Sequence, residues 1–217
     1  MQELKILRKL KDAYKKKYSS FRRSPKISKQ ILHLKVRDFL LANRLSIGLD
    51  IGCASMPYRP LFKTEHYIGV DLDSTRLKEG LDQYPETEIC ESSLFDMPEN
   101  IKGDLVVCIQ MIEVNAKFDN KRTMEAVDKL IRATNYCGAL IFNVGVNGND
   151  WQIKRDKIAA ILKKYFNNIS IDRIGFYNQP LPMIITLPIA YIIKSIPFLY
   201  HISTPNCLLF SATGKKQ

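Results

Sequence analysis

From Ser46 onward, short apolar runs alternate with segments whose apolar residues recur every three or four positions. The runs Ile47–Asp50, Tyr67–Asp71, Glu88–Glu91, Leu105–Ile109, Ala139–Val144, Ile169–Phe176 and Cys207–Ala212 have strand length and predict seven strands. Between them, helical spacing predicts helices over Tyr58–Phe62, Ser74–Leu81, Asn120–Thr134 and Asp150–Phe166. Apolar strands that alternate with helices belong to a mostly parallel sheet covered on both faces. Upstream, Leu4, Leu7, Leu10, Ala13, Tyr14 and Tyr18 share one face of a helix over 3–18, which Ser24-Pro25 ends. A second helix is expected from Ser28, as its cap, to about Asn43. The chain thus divides into a helical arm, residues 1–45, and an α/β domain, residues 46–217.

One segment departs from the alternation. Ile174 to Ile193 is twenty residues without a charge, a length that just permits a membrane span. Pro180, Pro182 and Pro188 interrupt it, Pro197 follows it, and a strand overlaps its start. The expectation is a broken helical insert over residues 177–206, lid-like above the sheet, with apolar surface to spare for a membrane interface.

Charge changes the picture at the N-terminus. The chain of 217 residues carries a net +11, with 46% hydrophobic and 25% charged residues, the balance of a soluble globular protein. Residues 1–29 hold eleven lysines and arginines against Glu3 and Asp12, a net +9, so the remainder is close to neutral at +2. Such an arm suits anionic lipid head groups, nucleic-acid phosphates or an acidic partner. The five cysteines and three histidines are scattered without metal-ligand spacing, which speaks against a disulfide framework or a zinc site. The basic N-terminus lacks the apolar core of a secretory signal. A cytoplasmic protein is expected; residues 1–29 and 177–206 are the segments able to meet an anionic membrane surface, against the plainer readings of a solvated arm and a buried lid.

Candidate chemistry sits where the first two strands end. Asp50 closes the first run and Gly52 opens the turn after it; about twenty residues later Asp71 closes the second run. This is how a Rossmann-like βαβ unit presents a nucleoside. The glycine admits backbone close to the ligand, and the second carboxylate accepts from the ribose hydroxyls. Asp50 is suited to an ammonium or an ordered water, or to capping its own turn.

Leu49–Pro57, Tyr67–Asp71, Ser93-Leu94-Phe95-Asp96-Met97-Pro98, Leu105–Cys108 leading to Ile112-Glu113, and Ile131–Val144 together resemble the class I S-adenosylmethionine-dependent methyltransferases, in particular the broad type 11 methyltransferase domain. The resemblance covers about Ser46–Val144 and implies a Rossmann-like sheet of seven strands, the last antiparallel, with S-adenosyl-L-methionine as cofactor. It places Asp50, Gly52 and Ala54 beside the methionine moiety, Asp71 and Leu72 at the ribose, Ser93 and Leu94 against adenine, and Gln110 and Met111 on the sulfonium side. Ala54 stands where the family has a second glycine, which a negative φ would accommodate. Ser93 stands where many relatives have Asp, and Val114 replaces the histidine that follows the acid matched by Glu113.

Glu113, with Asn115 as a positioner, is the candidate for catalysis; His33, His201 and the loop Asn143–Trp151 are further sources of a base. The resemblance implies methyl transfer to a small-molecule, sugar or lipid-linked glycan acceptor, since loops like Cys53–Tyr58 look like those of surface-glycan pathways. An RNA methyltransferase and a catalytically silent binding subunit are the alternatives; the sequence lacks the Asn-Pro-Pro-Tyr-like and catalytic cysteine motifs of the former.

Overall fold

The computed structural model describes residues 26–112, 120–146, 151–175, 183–196, 199 and 205–217. The elements run α1 (Ile27–Ala42), β1 (Ile47–Ile51), a 3-10 turn (Arg59–Leu61), β2 (His66–Asp71), α2 (Ser74–Gln83), β3 (Glu88–Glu91), β4 (Gly103–Ile112), α3 (Asn120–Ala133), β5 (Thr134–Gly145), α4 (Trp151–Tyr165), β6 (Phe166–Ile174), α5 (Met183–Ser195) and β7 (Cys207–Lys215). The predicted 3–18 helix lies outside the described residues, as do Phe176 and much of the 177–206 insert.

The seven strands form one sheet in the order β3-β2-β1-β4-β5-β7-β6. β3, β2, β1, β4 and β5 pair in parallel, and β7 runs antiparallel to both β5 and β6. Two cores flank the sheet, and strand alternation sorts residues between them. Val106, Cys108, Leu140, Phe142, Leu208 and Phe210 face α3 and α4 with Leu130, Ile131, Ile158 and Leu162. Phe142 and Phe210 stack there at 5.2 Å across the β5–β7 pair. The opposite face receives Leu105, Val107, Ile109, Ile141 and Leu209 against Ile31, Leu34, Leu40, Leu77, Ala190 and Ile193 of α1, α2 and α5.

Two expectations need correction. Ser28 does not cap α1: it is buried inside the helix, whose N-cap is Lys26 with no side-chain capping bond. The 58–62 segment yields only the single turn Arg59–Leu61, because the backbone turns extended at Phe62, with φ −68° and ψ 123°. β4 and β5 are also longer than the apolar runs show, since their added ends carry polar residues such as Asp104, Gln110 and Asn135.

In the insert, α5 lies across the α1 face of the sheet. It buries Ala190 and Ile193, and it is tied to α1 by the Lys194–Asp38 ion pair and by Arg37 donating to the Tyr191 hydroxyl at 2.7 Å.

Candidate active site

The functional end of the sheet is built by a turn that leaves β1 and folds back onto β2. Gly52, at φ +74°, and Cys53 both donate their N–H to the Val70 carbonyl, at 2.7 and 3.1 Å. A side chain at Gly52 would meet the Met111 Cβ at 3.3 Å. The turn then passes through Ala54 at φ +49° and Met56 at φ +58°. The negative φ that would accommodate Ala54 without strain is therefore not the one it adopts. Its left-handed backbone aims its N–H at Asp71, whose Oδ2 accepts at 2.7 Å, and that bond offsets the steric cost of a non-glycine residue there.

Asp71 also accepts the Asp73 N–H on Oδ1 at 2.9 Å. Each carboxylate oxygen has two lone pairs, so both keep an acceptor site for a ligand hydroxyl.

Asp50 is fully buried and accepts from the Tyr67 hydroxyl at 2.8 Å. Burial pushes its carboxyl up to about 7; the Tyr67 bond opposes the shift and the nearby Asp71 charge adds to it. Tyr67 reaches Asp50 because the intervening residue on its face of β2 is Gly69. A Cβ at Gly69 would lie 2.9 Å from Cys53 Sγ and 3.5 Å from Tyr67 Cε1. The Tyr67 ring is held edge-on by Phe62 at 4.9 Å and covered by the Arg59 guanidinium at 5.1 Å.

From the other side, α1 delivers His33, which is hydrogen-bonded through Nδ1 to the Tyr58 hydroxyl. Burial, with Lys29 one turn earlier on α1 adding to it, lowers its pKa to about 4, so the imidazole is neutral at neutral pH. On β4, Gln110 adopts φ +63° at a shift in the β4–β5 register. Its N–H is held by Asn143 Oδ1 at 2.6 Å, and Asn143 in turn donates to Cys207 Sγ at 3.3 Å. Asn143 thus braces a strand irregularity at the site.

These groups line one cleft of about 640 Å³ at the carboxyl ends of β1, β2 and β4. Of the residues expected from sequence, Asp50, Gly52, Ala54, Asp71, Gln110 and Met111 converge on it, as does His33. Leu72, Ser93 and Leu94 are not among its lining. Leu72 is 68% exposed, Leu94 is buried in the α3–α4 core, and Ser93 Oγ accepts the Asp96 N–H at 3.1 Å. Glu113, Asn115 and His201 lie outside the described residues. Sequence reasoning gave no site role to Tyr58 or Tyr67 and did not place Lys29 at the cleft. The parts of Lys29 and Tyr58 depend on the docking of α1 and that of Tyr67 on the gap at Gly69, which no local pattern encodes.

No family profile and no curated protein matches the chain. Solved structures do. The N-methyltransferase NodS from Bradyrhizobium japonicum WM9 superposes with a TM-score of 0.55 at 14% identity, over 87% of this chain and 94% of that one. The chain has the class I S-adenosylmethionine-dependent methyltransferase fold. A SAM-dependent methyltransferase from Archaeoglobus fulgidus matches this fold over 90% and 96% of the two chains, with a TM-score of 0.51 and 14% identity. The plantazolicin methyltransferase BamL matches it over 84% of each chain, with a TM-score of 0.55 and 12% identity. In open sheets of this kind the ligand crevice lies beyond the carboxyl ends of the central strands, where the cleft is found.

Proposed function

We propose that the protein transfers a methyl group from S-adenosyl-L-methionine to a small-molecule, sugar or lipid-linked glycan acceptor. The observation that carries this reading is the convergence of Asp50 and Asp71 on a cleft bordered by a left-handed turn. NodS, which shares the fold, was crystallised with S-adenosyl-L-homocysteine, and BamL with that product and a triazolic desmethylplantazolicin analogue.

The residues fit the cofactor. The cleft volume of about 640 Å³ falls in the range of small-ligand sites. Gly52 leaves open the space that a Cβ would take beside Met111. The donor set matches as well: Asp71 keeps acceptor sites for a vicinal diol, and Asp50 offers a carboxylate to an ammonium. When bound, S-adenosylmethionine supplies an activated methyl on a sulfonium.

The protein's task is then mostly positioning. Asp71, fixed by two backbone amides, orients the ribose end. Asp50, fixed by Tyr67, orients the amino-acid end and must be ionised to do so. Gln110 and Met111 form the opposite wall, and His33, kept neutral with a pKa too low for a general base, serves at the cleft as a hydrogen-bonding group held by Tyr58.

Calorimetric titration with S-adenosylhomocysteine tests the reading. Wild type is expected to bind, and Asp71→Ala to weaken binding about tenfold or more, as loss of charge-assisted bonds to both hydroxyls implies. Folded wild type that gives no heat would refute the proposal.

A further inference from the structure

We propose that the protein docks on an anionic membrane surface through the outward, apolar side of α5. The topology sets the geometry. Gly145, which ends β5, and Ile174, which ends β6, both pair with Cys207, the first residue of the antiparallel strand β7. The connection carrying α5 therefore leaves and returns at the end of the sheet where β1, β2 and β4 open into the cleft.

α5 is apolar on both sides. Its inner side buries Thr186, Ala190 and Ile193. Its outer side presents Ile185, Pro188 and Ile192, continued by Ile196 just past its end, at spacings of three and four residues. The three isoleucines are 46%, 58% and 43% exposed in that order. A globular protein ordinarily turns such a stripe inward or covers it. The helix's single charge, Lys194, is drawn aside to Asp38, and Tyr191 hangs at the margin with its hydroxyl bound by Arg37. An apolar ring with a satisfied polar tip is an arrangement favoured at lipid–water boundaries.

Charge names the occupant. Lys29 on α1 is exposed and lines the cleft, so the segment 1–29, with its net +9, joins the fold at this same end. The rest of the chain is close to neutral, so the attraction for anionic lipid comes mainly from residues 1–29. Among the described residues no helix is long and apolar enough to cross a membrane, so the contact is interfacial. A second copy on the α5 stripe is disfavoured on two counts. One helix side offers less area than a stable dimer needs, and an isologous pairing draws two +9 segments together. Docking would bring the cleft near a lipid surface, where a lipid-linked acceptor is presented; that purpose, though not the docking, rests on the methyltransferase reading.

Vesicle flotation of the full chain tests this, with Ile185→Ser/Ile192→Ser/Ile196→Ser as the variant. Wild type should float with phosphatidylcholine–phosphatidylglycerol vesicles, much less with pure phosphatidylcholine, and less at high salt. The triple variant should lose about tenfold or more of its binding while keeping the wild-type affinity for S-adenosylhomocysteine, which shows that fold and cleft are intact. Wild type that floats without binding the homocysteine product would support docking and remove the methyltransferase reading. Equal flotation of wild type and variant, wild type that floats with neither vesicle, or a solution dimer that the variant converts to monomer would each overturn the proposal.

Discussion

Asp50 is buried at the floor of the cleft, where its carboxylate accepts from the Tyr67 hydroxyl at 2.8 Å. Two predictions follow from its pKa, raised to about 7. In the unfolded chain the group titrates near its ordinary value of 3.8. Between the two values the folded state therefore binds more protons, and stability falls as pH rises through this window. His33, lowered to about 4, acts in the opposite sense, because acid must charge it inside the fold. The difference between wild type and Asp50→Asn isolates the carboxylate. Thermal melting should show the variant losing less stability than wild type from about pH 5 to about pH 8. Ligand affinity should move the other way. An ammonium needs ionised Asp50, so calorimetry should find wild-type affinity for S-adenosylhomocysteine weakening below about pH 7, and the variant weak and nearly flat. Tyr67→Phe removes the one hydroxyl and leaves a buried carboxylate unpartnered. The expected cost is about 1–3 kcal/mol in chemical denaturation, and the same tool would expose the idea if the variant proved as stable as wild type.

Among elements, the turn after β1 is held in place by α2 rather than by its own sequence. Met56 is fully buried at a left-handed φ, and its thioether fills the space beside Gly80; a Cβ there would lie 2.8 Å from Met56 Cε and 2.9 Å from Sδ. In an exposed helix Gly→Ala stabilises by about 0.5–1 kcal/mol. Here Gly80→Ala should instead destabilise by about 1–3 kcal/mol through overpacking. It should also weaken ligand binding, because displacing Met56 moves the Ala54 N–H that fixes Asp71. Denaturation and calorimetry on the one variant check both effects, and a stabilised protein would show that α2 does not carry the turn. The same scale explains what the sequence could show of the elements. The central strands β1, β4 and β5, buried on both faces, read as apolar runs, whereas the edge strands β3 and β6 are largely exposed and stand out less by composition. The ends of β4 and β5 were not legible, because their residues beyond the apolar runs are polar and pair only through backbone that the neighbouring strand supplies.

Over the whole molecule, one end of the sheet gathers the cleft, the root of the basic segment and both ends of the connection that carries α5. The vesicle experiment belongs to this scale, since no single residue creates that convergence. The sequence by itself determined the parallel α/β order and the positions of Asp50, Gly52, Ala54 and Asp71, because these follow from local runs and from a short motif within one βαβ unit. It also located the net +9 at the N-terminus. Only the tertiary structure decided that Tyr67 restrains Asp50, that α1 brings His33 and Lys29 to the cleft, and that Ala54 takes a left-handed φ to hold Asp71. It also removed Leu94 to the core and left α5 apolar on its outer side. The physical reason is range. Hydrophobic periodicity and turn chemistry act between neighbours along the chain, whereas burial, the space above Gly69 and the docking of α1 are set by residues that meet only when the sheet has formed.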